Sequence, residues 1–142
     1  MLCAEDSIVQ RRIGRMRPSL RFRCGQLLML LKRRSRALDM FRKAARDDPS
    51  HPQTWSCIGF LLAERADYPG AIEALARALE LEPGSAAAHF NLGFLLQRTG
   101  RHAEALERFE RALETDPTLE RARQGRARSL AWKRSVGEDQ RR

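Results

Sequence analysis

The sequence contains few residues of the kinds that build disulfide frameworks, metal sites or membrane spans. Its 142 residues include three cysteines and three histidines, and aromatic residues make up 6%. The cysteines, Cys3, Cys24 and Cys57, form no CxxC pair, and their odd number leaves one unpaired in any disulfide scheme, which favours a reducing compartment. The longest apolar run, residues 27–31, is far shorter than the roughly 18 residues of a spanning helix. We therefore expect no membrane span.

The first 17 residues lack the apolar stretch of a secretory signal. Four arginines in this segment are typical of a mitochondrial transit peptide, but Glu5 and Asp6 argue against one because transit peptides are poor in acidic residues. We therefore expect a cytoplasmic protein. Residues 1–17 also precede the repeat described below, and both a short helix and a flexible extension are compatible with them.

Motifs of catalysis and cofactor binding are missing as well. The sequence has no HExxH metal motif, no Gly-rich phosphate loop and no GxSxG elbow. His51, His89 and His102 fall in an inter-unit loop, a first helix and a turn, so no two of them share a predicted site. These observations predict no enzyme activity and no cofactor or metal.

The sequence does have an internal repeat with a period of 34 residues. Five columns agree in three copies: Gly25, Gly59 and Gly93; Ala37, Ala71 and Ala105; Phe41, Leu75 and Phe109; Ala44, Ala78 and Ala112; and Pro49, Pro83 and Pro117. Small side chains let two antiparallel helices approach closely, and proline cannot continue a helical hydrogen-bond ladder. A fixed period of this length is typical of a helix-turn-helix solenoid.

The middle unit carries a resemblance to a known family. It reads Trp55-x2-Ile58-Gly59-x2-Leu62, followed by Ala71, Leu75, Ala78 and Pro83, which resembles the tetratricopeptide repeat. The outer units depart from this pattern, with Arg21 and His89 in the column of Trp55 and Cys24 in the column of Ile58. The resemblance implies an all-α fold, a right-handed superhelix of paired helices.

In this register three full repeats cover residues 18–51, 52–85 and 86–119. We expect two helices in each repeat. In the first repeat one helix covers about residues 18–31 and a second ends near residue 46. The pairs in the next two repeats cover about residues 53–65 and 68–81, and about residues 87–98 and 102–115. Residues 119–133 begin as another first helix, but arginines replace its apolar columns, which is typical of a polar terminal cap. Residues 134–142 are predicted to be a disordered tail.

Charge is distributed unevenly along the chain. Residues 1–51 contain 13 Lys and Arg and 5 Asp and Glu, whereas residues 52–119 contain 6 basic and 10 acidic residues. Residues 120–142 contain 8 basic and 3 acidic residues. The basic ends raise one alternative function, the binding of RNA or another acidic surface through the Arg-rich terminal regions. The aromatic residues that could stack on bases lie in the acidic middle, which argues against it.

The resemblance also implies a binding surface, because the first helix of each tetratricopeptide unit lines a concave groove. By phase, the inward-facing side chains are Phe22, Gln26, Met29, Gln53, Ser56, Phe60, Glu64, Phe90, Asn91, Phe94, Gln97, Arg98, Arg121, Gln124 and Arg128. Large apolar groups on a surface usually mark an interaction site. Phe60, Phe90 and Phe94 therefore indicate a protein partner, unless they pack between neighbouring first helices as core.

One branch of the family holds the C-terminal carboxylate of chaperones with basic and asparagine side chains. Asn91 and Arg121 match the columns of that clamp, whereas Ser56, Phe60 and Gly125 replace the other members. We instead expect a non-catalytic adaptor, scaffold or assembly factor that binds an extended peptide or amphipathic helix with apolar and acidic residues. A third interpretation is an oligomeric scaffold that associates through the ends of a short array.

Overall fold

The computed structural model describes residues 16–139, and every regular element in that range is an α-helix. The described residues divide into two compact units, one that ends at Ser50 and one that begins at His51. The first unit contains α1 (Pro18–Leu30) and α2 (Arg34–Asp47). The second contains α3 (Pro52–Glu64), α4 (Tyr68–Leu81), α5 (Ala86–Arg98), α6 (His102–Thr115) and α7 (Glu120–Asp139). The predicted all-α class is confirmed, and the predictions for residues 1–15 and 140–142 lie outside the described residues.

The helices begin where local chemistry favours a start. Pro18 and Pro52 occupy the first positions of α1 and α3, where the missing N–H costs nothing. The Asp67 carboxylate accepts a 3.1 Å hydrogen bond from the Gly70 N–H and so caps α4. Ser85 caps α5, since its hydroxyl accepts from the Ala88 N–H at 3.4 Å.

Within each helix pair the repeated glycine lies against the large apolar residue of the second helix. A Cβ atom at these glycines would lie 2.7 Å from Phe41 Cε1 for Gly25, 2.8 Å from Leu75 Cγ for Gly59, and 3.0 Å from Phe109 Cε1 for Gly93. Real Cβ atoms cannot approach so closely without displacing the neighbour. The shared period therefore reflects one packing contact made three times.

The turn inside each pair also repeats, down to the same hydrogen bond. The N–H groups of residues 33, 67 and 101 donate to the carbonyls of residues 28, 62 and 96, at 2.8, 3.0 and 2.8 Å. This closure requires a left-handed residue just before the donor. Lys32, Ala66 and Gly100 fill that position with φ values of 55°, 60° and 79°. Only the third repeat uses the residue best suited to it.

The core follows the repeat columns, with small and large apolar side chains alternating. In the first unit Ala37, Leu38 and Phe41 are fully buried. In the second unit the completely buried positions include Ala71, Ala105, Phe109, Ala112 and Ala122. The last of these lies on α7, so the terminal helix contributes to the core and does not merely cover it.

The terminal helix extends further than the sequence predicts. We expected it to end at residue 133, but α7 continues to Asp139, so the predicted disorder is wrong for residues 134–139. The segment contains no proline, and its one glycine, Gly137, costs only about 1 kcal/mol in a helix interior. The Ser135 hydroxyl also donates to the Trp132 carbonyl within the helix, at 2.7 Å.

Candidate binding groove

The second unit contains a cavity of about 280 Å³ between its first helices. Residues of α3, α4, α5 and α7 line it: Gly59, Phe60, Ala63, Glu64, Tyr68, Leu75, Phe90, Asn91, Phe94, Leu95, Arg98 and Arg121. Seven of these belong to the predicted groove. The 34-residue period thus places corresponding faces of α3 and α5 on one surface.

The aromatic residues of this surface differ in burial. Phe109 is fully buried, and its ring centroid lies 6.1 Å from that of Phe90, which is half-buried. Phe90 in turn lies 6.5 Å from Phe94. Phe94 and Phe60 remain 42% and 45% exposed. The outer two phenylalanines are therefore available for contact, whereas the inner two connect the groove to the core.

Two arginines are held against these rings. The Arg98 guanidinium lies 6.0 Å from the Phe94 ring centroid and 5.9 Å from that of Tyr68, and it donates a 3.1 Å hydrogen bond to the Tyr68 hydroxyl. The Arg121 guanidinium lies 5.2 Å from the Phe90 centroid. Neither arginine forms an ion pair with a carboxylate of residues 16–139. A cation–π contact orients a guanidinium, and the N–H groups that are not already bonded within the protein can bind an acid.

A second cavity of about 200 Å³ continues the groove towards α7. It shares Phe90, Phe94 and Arg121 with the first, and its other lining residues are Gln97, Phe109, Gln124, Gly125 and Arg128. Arg121 and Arg128 supply positive charge there, and no carboxylate lines this cavity. The first cavity does have a carboxylate, that of Glu64. The groove is therefore more positive at its α7 end.

Gln97 has a structural part in this region that its sequence position does not reveal. Its amide donates to the Gly125 carbonyl at 3.1 Å and to the buried Ser129 hydroxyl at 3.0 Å, which joins α5 to α7. The amide hydrogens are thus already engaged within the protein. Gly125 itself packs on the Phe109 ring, so the basic residue of a chaperone-tail clamp cannot be accommodated at this position.

The remaining predicted groove residues lie elsewhere. Gln53 and Ser56 are on α3 but line neither cavity. Phe22, Gln26 and Met29 are on α1 in the first unit, where the Phe22 ring lies 5.6 Å from that of Phe41. The structure therefore brings together ten of the fifteen predicted residues in the two cavities of the second unit.

Sequence reasoning missed Tyr68. It is the single tyrosine of the chain and begins a second helix, a position that the repeat pattern assigns to the outside of the groove. Its ring nevertheless lines the first cavity and holds Arg98. The signal that could have found it is the lone aromatic residue directly after a helix N-cap.

The three histidines occupy separate surroundings in the described chain. His51 pairs with the Thr54 hydroxyl at 2.8 Å, and the Nε2 atom of His89 donates to the Pro83 carbonyl at 2.8 Å. His102 stacks on Trp132 with ring centroids 4.6 Å apart. Among residues 16–139, no cluster of three or more His, Cys, Asp or Glu side chains is arranged to hold a metal ion.

Burial raises the pKa of the Cys57 thiol to about 11. The thiol therefore stays protonated at neutral pH, whereas a nucleophilic cysteine needs a lowered pKa.

None of the helices in the described range combines the length and apolar character needed to cross a bilayer.

Comparison with known proteins supports the repeat assignment. Residues 62–129 match the family model for the tetratricopeptide repeat. A 41-residue stretch is 44% identical to the anaphase-promoting complex subunit CDC27 of Saccharomyces cerevisiae. That stretch is 29% of this chain and only 5% of CDC27, so the chain spans a small part of this relative.

Solved structures show the same fold across most of the chain. The crystal structure of MamA aligns with a TM-score of 0.79 and 23% identity, covering 82% of this chain and 68% of MamA. The first tetratricopeptide domain of Spaghetti (RPAP3), bound to the HSP90 peptide SRMEEVD, aligns with a TM-score of 0.78 and 17% identity, covering 81% of this chain and 91% of that one. The chain therefore has the tetratricopeptide repeat fold, an all-α solenoid of three helix pairs followed by a capping helix, and residues 62–129 match the family model itself.

Proposed function

We propose that this protein is a non-catalytic interaction module that binds a peptide or amphipathic helix of a partner protein in the groove of its second unit. The observation that carries the proposal is that exposed Phe60 and Phe94 line one cavity with two arginines, Arg98 and Arg121, that have no carboxylate partner among residues 16–139. These guanidinium groups lie over the rings of Phe94 and Phe90. Members of this family mediate protein–protein interactions, and one structural relative is bound to a peptide. An adaptor or scaffold in the cytoplasm is the setting we predict.

The groove favours a ligand of mixed character with a defined direction. Apolar side chains suit the first cavity, because the exposed rings of Phe60 and Phe94 present apolar surface whose contact with water is unfavourable. An acidic side chain suits the α7 end, where Arg121 and Arg128 both line the second cavity and no carboxylate does. The first cavity, at the other end, already contains the Glu64 carboxylate. We therefore expect an apolar anchor at the α3 side and an Asp or Glu at the α7 side.

Selection from a displayed peptide library on the full chain tests this proposal without knowledge of the native partner. The wild-type protein should enrich sequences with an apolar residue near an acidic one. The double variant Phe60→Ala/Phe94→Ala should lose these peptides, and Arg121→Gln/Arg128→Gln should lose the preference for acid while keeping the apolar residue. Leu81→Ala, which trims an exposed leucine outside both cavities, is the matched control.

The proposal fails if no peptide is enriched, or if both groove variants select the same peptides as wild type with unchanged affinity. Helical circular dichroism must be equal in all variants, which separates a lost contact from a lost fold. Fluorescence anisotropy with one selected peptide then gives the affinity. We expect a loss of about tenfold or more for the phenylalanine pair, since each buried aromatic anchor contributes on the order of 1 kcal/mol or more.

A second candidate function is the binding of single-stranded nucleic acid. The sequence places most arginines away from the aromatic residues, but in the structure the guanidinium groups of Arg98 and Arg121 lie over the rings of Phe94 and Phe90, at 6.0 and 5.2 Å from their centroids. Aromatic rings beside arginines can hold stacked bases and phosphates. An electrophoretic shift with random single-stranded RNA at physiological salt tests this alternative: a shift that falls steeply with added salt supports it, and no shift excludes it.

A further inference from the structure

The turn between α1 and α2 is unusually apolar for an exposed loop. Leu30 and Leu31 are 81% and 59% exposed. No other large apolar side chain in the described residues is as exposed as Leu30. The basic and exposed residues Lys32, Arg33 and Arg36 follow at once. Residues 30–36 thus present two leucines beside a cluster of positive charge.

Packing between repeats does not account for these two leucines. The column of Leu30 holds Glu64 in the second repeat, and the column of Leu31 holds Arg65, both exposed. In the third repeat the same two columns hold the exposed residues 98 and 99, an arginine and a threonine. The repeat therefore requires no apolar residue at either position, and the first turn alone has them.

A neighbouring leucine shows the contrast. Leu27 is also exposed, but its counterparts in the other repeats, Leu61 and Leu95, are buried. Its apolar character thus belongs to the shared packing pattern. Leu30 and Leu31 do not share that explanation, so their exposure indicates contact with something outside the folded chain.

The surrounding charge indicates what that contact is. Lys32, Arg33 and Arg36 form no ion pair with a carboxylate in residues 16–139. Residues 1–51 as a whole carry 13 Lys and Arg against 5 Asp and Glu. An anionic bilayer offers acyl chains that apolar side chains can contact and negative headgroups that basic side chains can bind. A surface with leucines beside basic residues is complementary to both.

We propose that residues 30–36 are a docking surface for an anionic lipid bilayer. Leu30 and Leu31 enter the interfacial layer, and Lys32, Arg33 and Arg36 bind the lipid phosphates and carboxylates. Two leucines at the tip of a turn form no pocket for a specific side chain, whereas a fluid bilayer needs no complementary shape. The contact is peripheral, since none of the described helices could cross the membrane. It is also independent of the groove, which lies in the other unit.

Vesicle cosedimentation of the full chain tests this inference. We expect binding to phosphatidylcholine vesicles that contain about 30% phosphatidylserine, and much weaker binding to phosphatidylcholine alone. Leu30→Ser/Leu31→Ser should weaken the partition by about tenfold or more, because two apolar side chains no longer leave water. Arg33→Gln/Arg36→Gln should weaken it by about fivefold for each charge removed, and added salt should have the same effect.

Matched variants separate this surface from general basicity and from unfolding. Leu81→Ser removes an exposed leucine from α4, and Arg126→Gln/Arg134→Gln removes two exposed charges from α7. Both should bind vesicles as wild type does. The variant Leu30→Trp should show a blue shift in tryptophan emission on adding anionic vesicles, beyond the signal of the wild-type tryptophans.

The inference is overturned if the wild-type chain does not sediment with anionic vesicles. It is equally overturned if Leu30→Ser/Leu31→Ser binds as tightly as wild type, since the attraction would then be charge alone. Equal weakening by the α7 charge variant would also contradict a site on this turn. Circular dichroism and thermal melting confirm that each variant remains folded.

Discussion

Gly125 of α7 lies directly against the ring of Phe109 on α6, and a Cβ atom at residue 125 would come within 2.6 Å of the Phe109 Cε1 atom. Gly93 touches the same ring from α5. One fully buried phenylalanine therefore packs against glycines of two helices. In the preceding repeat Leu75 corresponds to Phe109 and Asn91 corresponds to Gly125. The smaller leucine is thus found with asparagine, and the larger phenylalanine is found with glycine.

Gly125→Ala should destabilise the protein by about 1 to 3 kcal/mol, because the added methyl group overlaps the Phe109 ring. Urea unfolding followed by circular dichroism measures the change. The double variant Gly125→Asn/Phe109→Leu, which reproduces the pair of the preceding repeat, should be more stable than Gly125→Asn alone. The free energies of the two single changes should therefore not add.

Gly137→Ala provides the control on the same helix. A Cβ atom at residue 137 would meet nothing within 4 Å, so the change should stabilise α7 slightly through helix propensity. If Gly125→Ala behaves in the same way, the contact with Phe109 is not the constraint described above.

The fold could be predicted from the sequence because one contact repeats in step along the chain. Gly25, Gly59 and Gly93 meet equivalent partners, and the observed helix bounds agree with the expected ones to within one residue except at the end of α7. Gly125 was not predicted to be a packing glycine because it lies in the column of Asn91 and not in that of Gly93. Its partner becomes apparent only when α7 packs on α6.

The groove could be predicted only in part, for a related reason. Phase tells which face of a helix a side chain occupies, and that placed Phe60, Phe94 and Arg98 together. Phase does not tell what a polar side chain binds. Gln97 therefore looked like a ligand-binding residue, although its amide joins α5 to α7, and Tyr68 was missed because its helix belongs to the other layer.

The left-handed turn positions give a second prediction, on backbone conformation. Ala66 has a φ of 60°, a region that costs L-residues about 1 to 2 kcal/mol, so Ala66→Gly should raise the free energy of unfolding by about 0.5 to 1 kcal/mol after the entropy of glycine is subtracted. Gly100→Ala should lower it by about 1 kcal/mol. Thermal and urea unfolding measure both changes.

Gly84→Ala is the control for that comparison. Gly84 has no positive φ, and a Cβ atom added there would meet no other atom within 4 Å, so alanine should be neutral or slightly stabilising. A loss of stability at residue 84 equal to that at residue 100 would mean that turn geometry is not the cause.

The partly buried thiol of Cys57 gives a prediction on reactivity. Desolvation raises its pKa from 9.0 to about 11, so the fraction of reactive thiolate near neutral pH falls by about a hundredfold. In a Cys3→Ser/Cys24→Ser background, alkylation of the folded protein at about pH 8 should therefore be at least that much slower than alkylation in denaturant. Equal rates in the two conditions would contradict burial of the thiol.

The same pKa shift gives a pH dependence with a definite sign. Between pH 9 and 11 the folded state retains a proton that the unfolded state releases, so stability falls as pH rises through this window. The favourable contribution is fully present below pH 9 and lost above pH 11. A Cys57→Ala variant should therefore lose less stability between pH 9 and 11 than wild type, as measured by urea midpoints at several pH values.

The ion pair of Arg21 and Asp47 gives the last prediction. Arg21 stands in the column of Trp55, is only 7% exposed, and pairs with the Asp47 carboxylate at the end of α2. A buried guanidinium without its partner is costly, and Asp47 is a third exposed, so Asp47→Leu should destabilise the protein by about 2 kcal/mol. Arg21→Trp alone leaves the carboxylate unpaired and should cost less, since water can reach Asp47.

The double variant Arg21→Trp/Asp47→Leu places in the first repeat the residues that the second repeat has at positions 55 and 81. Exchange of a buried ion pair for apolar residues is often neutral or stabilising, so the double variant should be nearly as stable as wild type or more stable. Urea unfolding of the four proteins gives a double-mutant cycle whose coupling energy should exceed about 1 kcal/mol. Additive losses would show that the two side chains do not depend on each other, and that the arginine is tolerated for another reason.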